Sequence, residues 1–188
     1  IMNTGATPRQ LSLAVDGVPG THPAGAEQPI APAGAPPLRV PLRAQPPATN
    51  CAMLVGHSTL RVATMSDLSR AANPAEIAAM RALVDEAMKA GAIGVSTGLF
   101  YEPAIAAPTE EVVQVCQPLK MHNGLYCTHM RDEANRVIES LEETFLIGRE
   151  LGVAVVISHH KVTGHANHGR SRETLALMKT RLGTAAKL

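Results

Sequence analysis

Eight histidines occur in this chain, and two of them stand where chemistry is easiest to build. His129 ends the apolar run from Leu125, and His159 ends the run from Val153. A lone strand-end histidine is more often a hydrogen-bonded structural residue than a ligand. Two on consecutive strands reverse that expectation, because their rings can converge across one sheet interval. Imidazole is a common ligand for zinc, and a hydrolytic site needs a few fixed ligands with one position left open. Strand alternation would put Lys161 on the side of His159 and His160 on the other, and Cys127 on the side of His129. Lys161 could neutralise a carboxylate or polarise a carbonyl oxygen; an ordinary surface lysine is an equal reading. Phe100 and Tyr101 are half of the four Phe and Tyr rings in the chain, and a pair so placed reads as a pocket wall. His165 and His168 read as solvated loop residues, and His22 and His122 as surface residues. No P-loop or GxGxxG is found, so NTPase and dinucleotide readings lack support.

The elements that must hold these residues alternate. Short apolar strands are expected at Cys51 to Gly56, Ala92 to Ser96, Leu125 to His129 and Val153 to His159. Between them, Asn73-Pro74-Ala75-Glu76 opens a helix with an N-cap, a proline at the first position and a capping-box glutamate, and Gly91 closes it. Pro108-Thr109-Glu110-Glu111 opens a second, which Pro118 should kink or end. A third runs from about Asp132 to Leu151, and a last from Ser171 to about Leu182. This β-α repetition implies a parallel α/β sheet, either doubly wound or half of a (β/α)8 barrel, with ligands at the carboxyl ends of the strands. GHSTLR after the first strand and STGLFY after the second would share that rim with the histidines.

Residues 1–49 differ. They are rich in Pro, Gly and Ala without apolar periodicity, and read as an irregular, low-complexity segment ahead of a domain at 50–188. Aromatic residues are 2% of the 188, so the core must be Ala, Val, Ile, Leu and Met, which suits strands covered by helices. A net charge of +1 without a basic cluster points away from nucleic acid and anionic membranes. The apolar runs are too short to span a bilayer, and no leader-like segment opens the sequence. Three cysteines in no CxxC spacing favour a reduced, cytoplasmic setting.

The strand ends resemble those of the N-acyl-D-amino-acid deacylases (D-aminoacylases) of the metal-dependent amidohydrolase superfamily. The resemblance runs through GHSTLR (Gly56 to Arg61), GAIGVSTGLFYEPA (Gly91 to Ala104), APTEEV, LYCTHMRDE (Leu125 to Glu133), VVISHHK (Val155 to Lys161) and GRSRETLALM. It implies a (β/α)8 barrel of the amidohydrolase type, zinc as cofactor, and hydrolysis of the amide of N-acyl-D-amino acids to a D-amino acid and a carboxylate. It further implies that His129 and His159 bind the metal and that Phe100, Tyr101 and Lys161 contact the substrate.

Such enzymes also use an HxH pair, a cysteine in an NCG block and a late aspartate as general base. None is found in this sequence, so no catalytic residue is assigned. The expectation is a fragment of about four β-α units, weakly active or inactive alone, with strand edges open to self-association. A non-catalytic metal-binding remnant and a cyclic-amide hydrolase are the competing readings.

Overall fold

The computed structural model describes residues 52–182. The expected irregular segment at 1–49, with His22, and the expected first-strand residue Cys51 lie outside them.

Four parallel strands form one sheet: β1 (Leu54–Gly56), β2 (Gly94–Gly98), β3 (Leu125–His129) and β4 (Ala154–Ile157). Their spatial order is β1-β2-β3-β4. A doubly wound sheet reverses direction at a switch point, whereas barrel strands follow one another around the axis. The unreversed order selects the partial (β/α)8 barrel. The helices agree with it. These are α1 (His57–Thr64), α2 (Pro74–Ala90), α3 (Thr109–Cys116), α4 (Pro118–Met121), α5 (Val137–Leu151) and α6 (Ser171–Leu182). Packing runs α1 on α2, α2 on α3, α3 on α5 and α5 on α6, each helix against the next in the succession.

Local chemistry explains most boundaries. The Asn73 side chain accepts hydrogen bonds from the Ala75 and Glu76 N–H groups, Glu76 reaches back to the Asn73 N–H, and Pro74 takes the first helical position. At the other end Gly91 adopts φ 106°, the left-handed conformation that lets its N–H close on the last turn. Pro118 divides the second helix as expected, ending α3 at Cys116 and starting α4.

Two boundaries differ from the sequence reading. Residues 57–64, expected as polar strand-end residues on the rim, form helix α1 and bury His57 and Arg61. The segment at 132–136 is a turn, not the first turn of α5, because Asp132 Oδ1 accepts the N–H groups of Ala134 and Arg136.

The larger core joins Val55, Val95 and Tyr126 of the sheet to Leu60, Met80, Val84, Ile147 and Leu151 of the helices. A smaller one gathers Met130, Val137 and Leu141 with Phe145, Ile157 and Leu177. Tyr126, the one buried aromatic of the larger core, satisfies its hydroxyl on Thr97 Oγ1 at 2.9 Å. No helix among the described residues is long and apolar enough to cross a membrane.

Candidate metal centre

His129 closes β3 and faces the carboxyl-end rim. His159 lies two residues past β4, at φ 40°. Left-handed backbone is unusual for a residue with a Cβ, though histidine tolerates it better than most. The turn ends the strand alternation and swings the His159 ring toward β3. His129 Nδ1 and His159 Nε2 come to 2.9 Å, with ring centroids 4.5 Å apart. Two nitrogens bound to one tetrahedral zinc, each at about 2.05 Å, would lie about 3.3 Å apart. The observed spacing therefore fits a shared ion after a small ring movement.

Lys161 follows His159 onto this side, with Nζ 3.0 Å from His159 Nδ1. His160 turns away and bonds Thr174 Oγ1 at 2.9 Å. That division matches the sequence expectation, although the left-handed turn produces it rather than strand alternation. Cys127 is buried and its thiol is 3.1 Å from Ser158 Oγ, outside the histidine cluster.

Glu133 is the residue that sequence reasoning missed. It sits in the turn after β3, is only 8% exposed, and lies under both rings. Its Oε2 is 3.6 Å from His129 Nε2 and pairs with the Lys161 ammonium; its Oε1 is 3.2 Å from His159 Nδ1. Ligand atoms of His129, Glu133 and His159 all lie within 4.8 Å of one another, the one such group among the described residues. The available signal was its position four residues after a strand-end histidine, which is weak because a turn has no fixed side-chain period. Asp132 beside it is committed to capping the turn.

Burial holds the His129 imidazole below its ordinary pKa, opposed by Glu133 and reinforced by His159 and Lys161. Burial likewise lowers His160. A neutral imidazole is the form that ligates metal, so the burial of His129 favours its ligating charge state. The site is open on its other side: the His159 and Lys161 side chains are about half exposed.

Phe100 and Tyr101 form the wall beside His129. Their rings meet edge to face at 5.2 Å, and Tyr101 lies 4.7 Å and Phe100 6.0 Å from the His129 ring. The Leu99 N–H bonds the His129 carbonyl, tying this loop to β3. Arg131 anchors its far end, donating to the Ile105 and Ala107 carbonyls while pairing with Glu143. The candidates His129, His159, Lys161, Phe100 and Tyr101 are thus brought together.

His57 is not among them. It is fully buried beneath the rim with Arg61 and Glu111. His122, expected at the surface, is partly buried, with Nε2 2.8 Å from Asp85 Oδ1. His165 and His168 are exposed in the loop before α6, as expected.

No family model matches the chain. A D-aminoacylase of Alcaligenes xylosoxydans xylosoxydans is 64% identical over 138 residues, 73% of this chain and 28% of the relative. An N-acyl-D-aspartate deacylase of the same organism is 59% identical over 140 residues, again 28% of its length. The chain therefore spans under a third of the curated relatives it matches. Among solved structures, a D-aminoacylase described for its binuclear metal centre superposes with a TM-score of 0.75 at 59% identity, covering 77% of this chain and 30% of that one. An N-acyl-D-glutamate deacylase of Bordetella bronchiseptica, complexed with zinc and a phosphonate inhibitor, gives 0.78 at 35% identity, covering 97% and 36%.

Proposed function

We propose that this chain, which belongs with the N-acyl-D-amino-acid deacylases of the amidohydrolase superfamily, carries one side of a zinc centre for hydrolysing the amide of N-acyl-D-amino acids. The observation that carries the reading is the approach of His129 Nδ1 and His159 Nε2 to 2.9 Å on a half-open rim. These two nitrogens are the ligands. The chemistry zinc supplies in such a site is polarisation of the amide carbonyl and acidification of a water.

The chain's own groups do the rest of what can be assigned. Phe100 and Tyr101 wall the substrate side of His129 and keep water off one flank. Lys161 offers an ammonium, on the exposed side of His159, to a substrate carboxylate or carbonyl oxygen. No aspartate joins the cluster among the described residues, so no group here is assigned the proton transfer that general-base catalysis requires.

Two measurements test this. The chain should take up zinc in competition with a chromophoric chelator, and His129→Ala and His159→Ala should each abolish that uptake. Assayed alone on N-acetyl-D-methionine it should show negligible turnover, since an absent general base costs on the order of 10² or more in rate. Zinc uptake that survives both substitutions refutes the ligand assignment; substantial turnover refutes the incomplete-centre reading.

A further inference from the structure

One buried carboxylate touches three of the residues gathered at the rim, and it is only half used. Glu133 Oε2 pairs with Lys161 Nζ and faces His129 Nε2. Glu133 Oε1 is fully buried, 3.2 Å from His159 Nδ1, and makes no hydrogen bond. Leaving a buried carboxylate oxygen unsatisfied is costly, so an oxygen in this condition asks for a donor. The turn that carries it is fixed: the Thr163 N–H and Oγ1 both bond the Glu133 carbonyl, at 2.7 and 3.0 Å.

The ring nitrogens explain why the donor is withheld. An ammonium can only donate, so the Lys161 contact makes His159 Nδ1 an acceptor and puts the ring proton on Nε2. That proton points at His129 Nδ1, which must accept it, leaving the His129 proton on Nε2, toward Glu133. The metal-free cluster is thus a one-way chain of donors, from Lys161 through His159 and His129 to Glu133. Its weakness for metal binding is that His159 Nε2 carries the proton where a lone pair is needed.

We propose that Glu133 is a positioning residue that sets the tautomer of both candidate ligands. It holds His129 as the Nε2–H form in either state. With metal present, the Lys161 ammonium would withdraw from Nδ1, the ring proton of His159 would sit on Nδ1 and be donated as a hydrogen bond to the unused Oε1, and Nε2 would be free to ligate. A carboxylate behind a ligating histidine fixes tautomer and ring orientation in many metal sites, and its loss costs about 10- to 100-fold in metal affinity. Here one carboxylate serves two rings. This inference rests on the zinc reading above, but its first test does not.

That test is carried out on the metal-free chain, by ring ¹⁵N shifts of His129 and His159 above the histidine titration range. Wild type should show both rings locked as Nε2–H. Lys161→Met removes the donor to His159 Nδ1 and should shift the His159 proton to Nδ1, toward Glu133, without metal. Glu133→Gln should instead leave the His129 ring averaging between tautomers. Ring shifts unchanged in both variants overturn the proposal, whatever zinc does. If Glu133→Gln fails to fold, Lys161→Met alone decides the matter.

Zinc titration is the second arm. His159 should convert to Nδ1–H on loading, and Glu133→Gln should weaken zinc 10- to 100-fold, with Glu133→Asp in between. Weakened affinity with unaltered tautomers would mean a simple charge effect and would also overturn the assignment. Failure of wild type to bind zinc would sink the proposed function while leaving the tautomer result to stand or fall on its own.

Discussion

Two clusters in this protein are built from the same residue types. Beneath the rim, His57, Glu111 and Arg61 meet; on it, His129, His159, Glu133 and Lys161 do. The first is closed to solvent, and both oxygens of its carboxylate are engaged. The Arg61 guanidinium is wholly buried, pairs with Glu111 Oε1, and donates to the Leu68 and Arg70 carbonyls at 3.2 and 2.6 Å. Glu111 Oε2 accepts the Ala72 N–H at 2.7 Å, and His57 Nε2 lies 3.3 Å from Oε1. A planar fork with five donors can satisfy several fixed carbonyls at once, which is why arginine does this work. The cluster sews the loop between α1 and α2 to α3. On the rim the cation is a lysine, half exposed, and one carboxylate oxygen is unsatisfied. The contrast lies in the carboxylates and in exposure: Glu111 is engaged at both oxygens in a closed setting, whereas Glu133 keeps one oxygen open beside a half-exposed rim.

The hardest way to break this contrast is through Arg61. Arg61→Met leaves a buried Glu111 charge without its partner, which should cost about 3–5 kcal/mol of stability in urea unfolding. Arg61→Lys should rescue little of it, because an ammonium cannot replace the fork. Zinc uptake by whatever remains folded should match wild type. A variant that stays as stable as wild type would show that the buried cluster is no staple.

Acid sharpens the contrast next. Burial by itself would raise the Glu111 carboxyl, but the contacts with His57, Arg61 and the Ala72 N–H outweigh it and bring the pKa down from 4.5 to about 2. A carboxylate depressed in the folded state stabilises fully above its unfolded pKa and loses that contribution as pH falls through the folded one. Stability on the order of 3 kcal/mol should therefore disappear between about pH 4.5 and 2. Glu76, also lowered to about 2 by Arg70 and the Asn73 N–H, acts with the same sign, so the difference between wild type and Glu111→Gln is the quantity to read. Parallel acid profiles for the two proteins would remove Glu111 from the account.

What the sequence shows of these two clusters follows from how local their determinants are. Helix α2 is written in its own cap, with Asn73, Pro74, Glu76 and Gly91 each acting within a turn of its end. Strand β3 spans Leu125–His129, the expected residues, and the histidine pair could be read from two consecutive strand ends. Helix α1 could not. It begins at His57, after a Gly56 N-cap that has no side chain to offer, and two of its buried positions are His57 and Arg61, which break any apolar pattern. Their partner Glu111 is fifty residues from Arg61, and a separation of that kind leaves no trace in periodicity. The same holds for His122 on Asp85. Glu133 was hidden for a different reason. It reaches the rings from a turn shaped by Asp132, and it meets His159 only because that residue takes a left-handed backbone.

The smallest expected effect concerns Phe100 and Tyr101, which separates lining from packing. Both side chains are about half exposed, so truncation should change stability by no more than about 0.5 kcal/mol. If the pair were core filler, each loss would cost several times that, as for buried aromatics. Their influence should fall instead on His129. Tyr101, at 4.7 Å, should perturb the His129 ring shifts more when replaced by alanine than Phe100 does at 6.0 Å. Thermal melts set beside ring shifts of the two variants decide between the roles. A large melting change with silent His129 shifts would make the pair a structural contact and leave the rim without its aromatic wall.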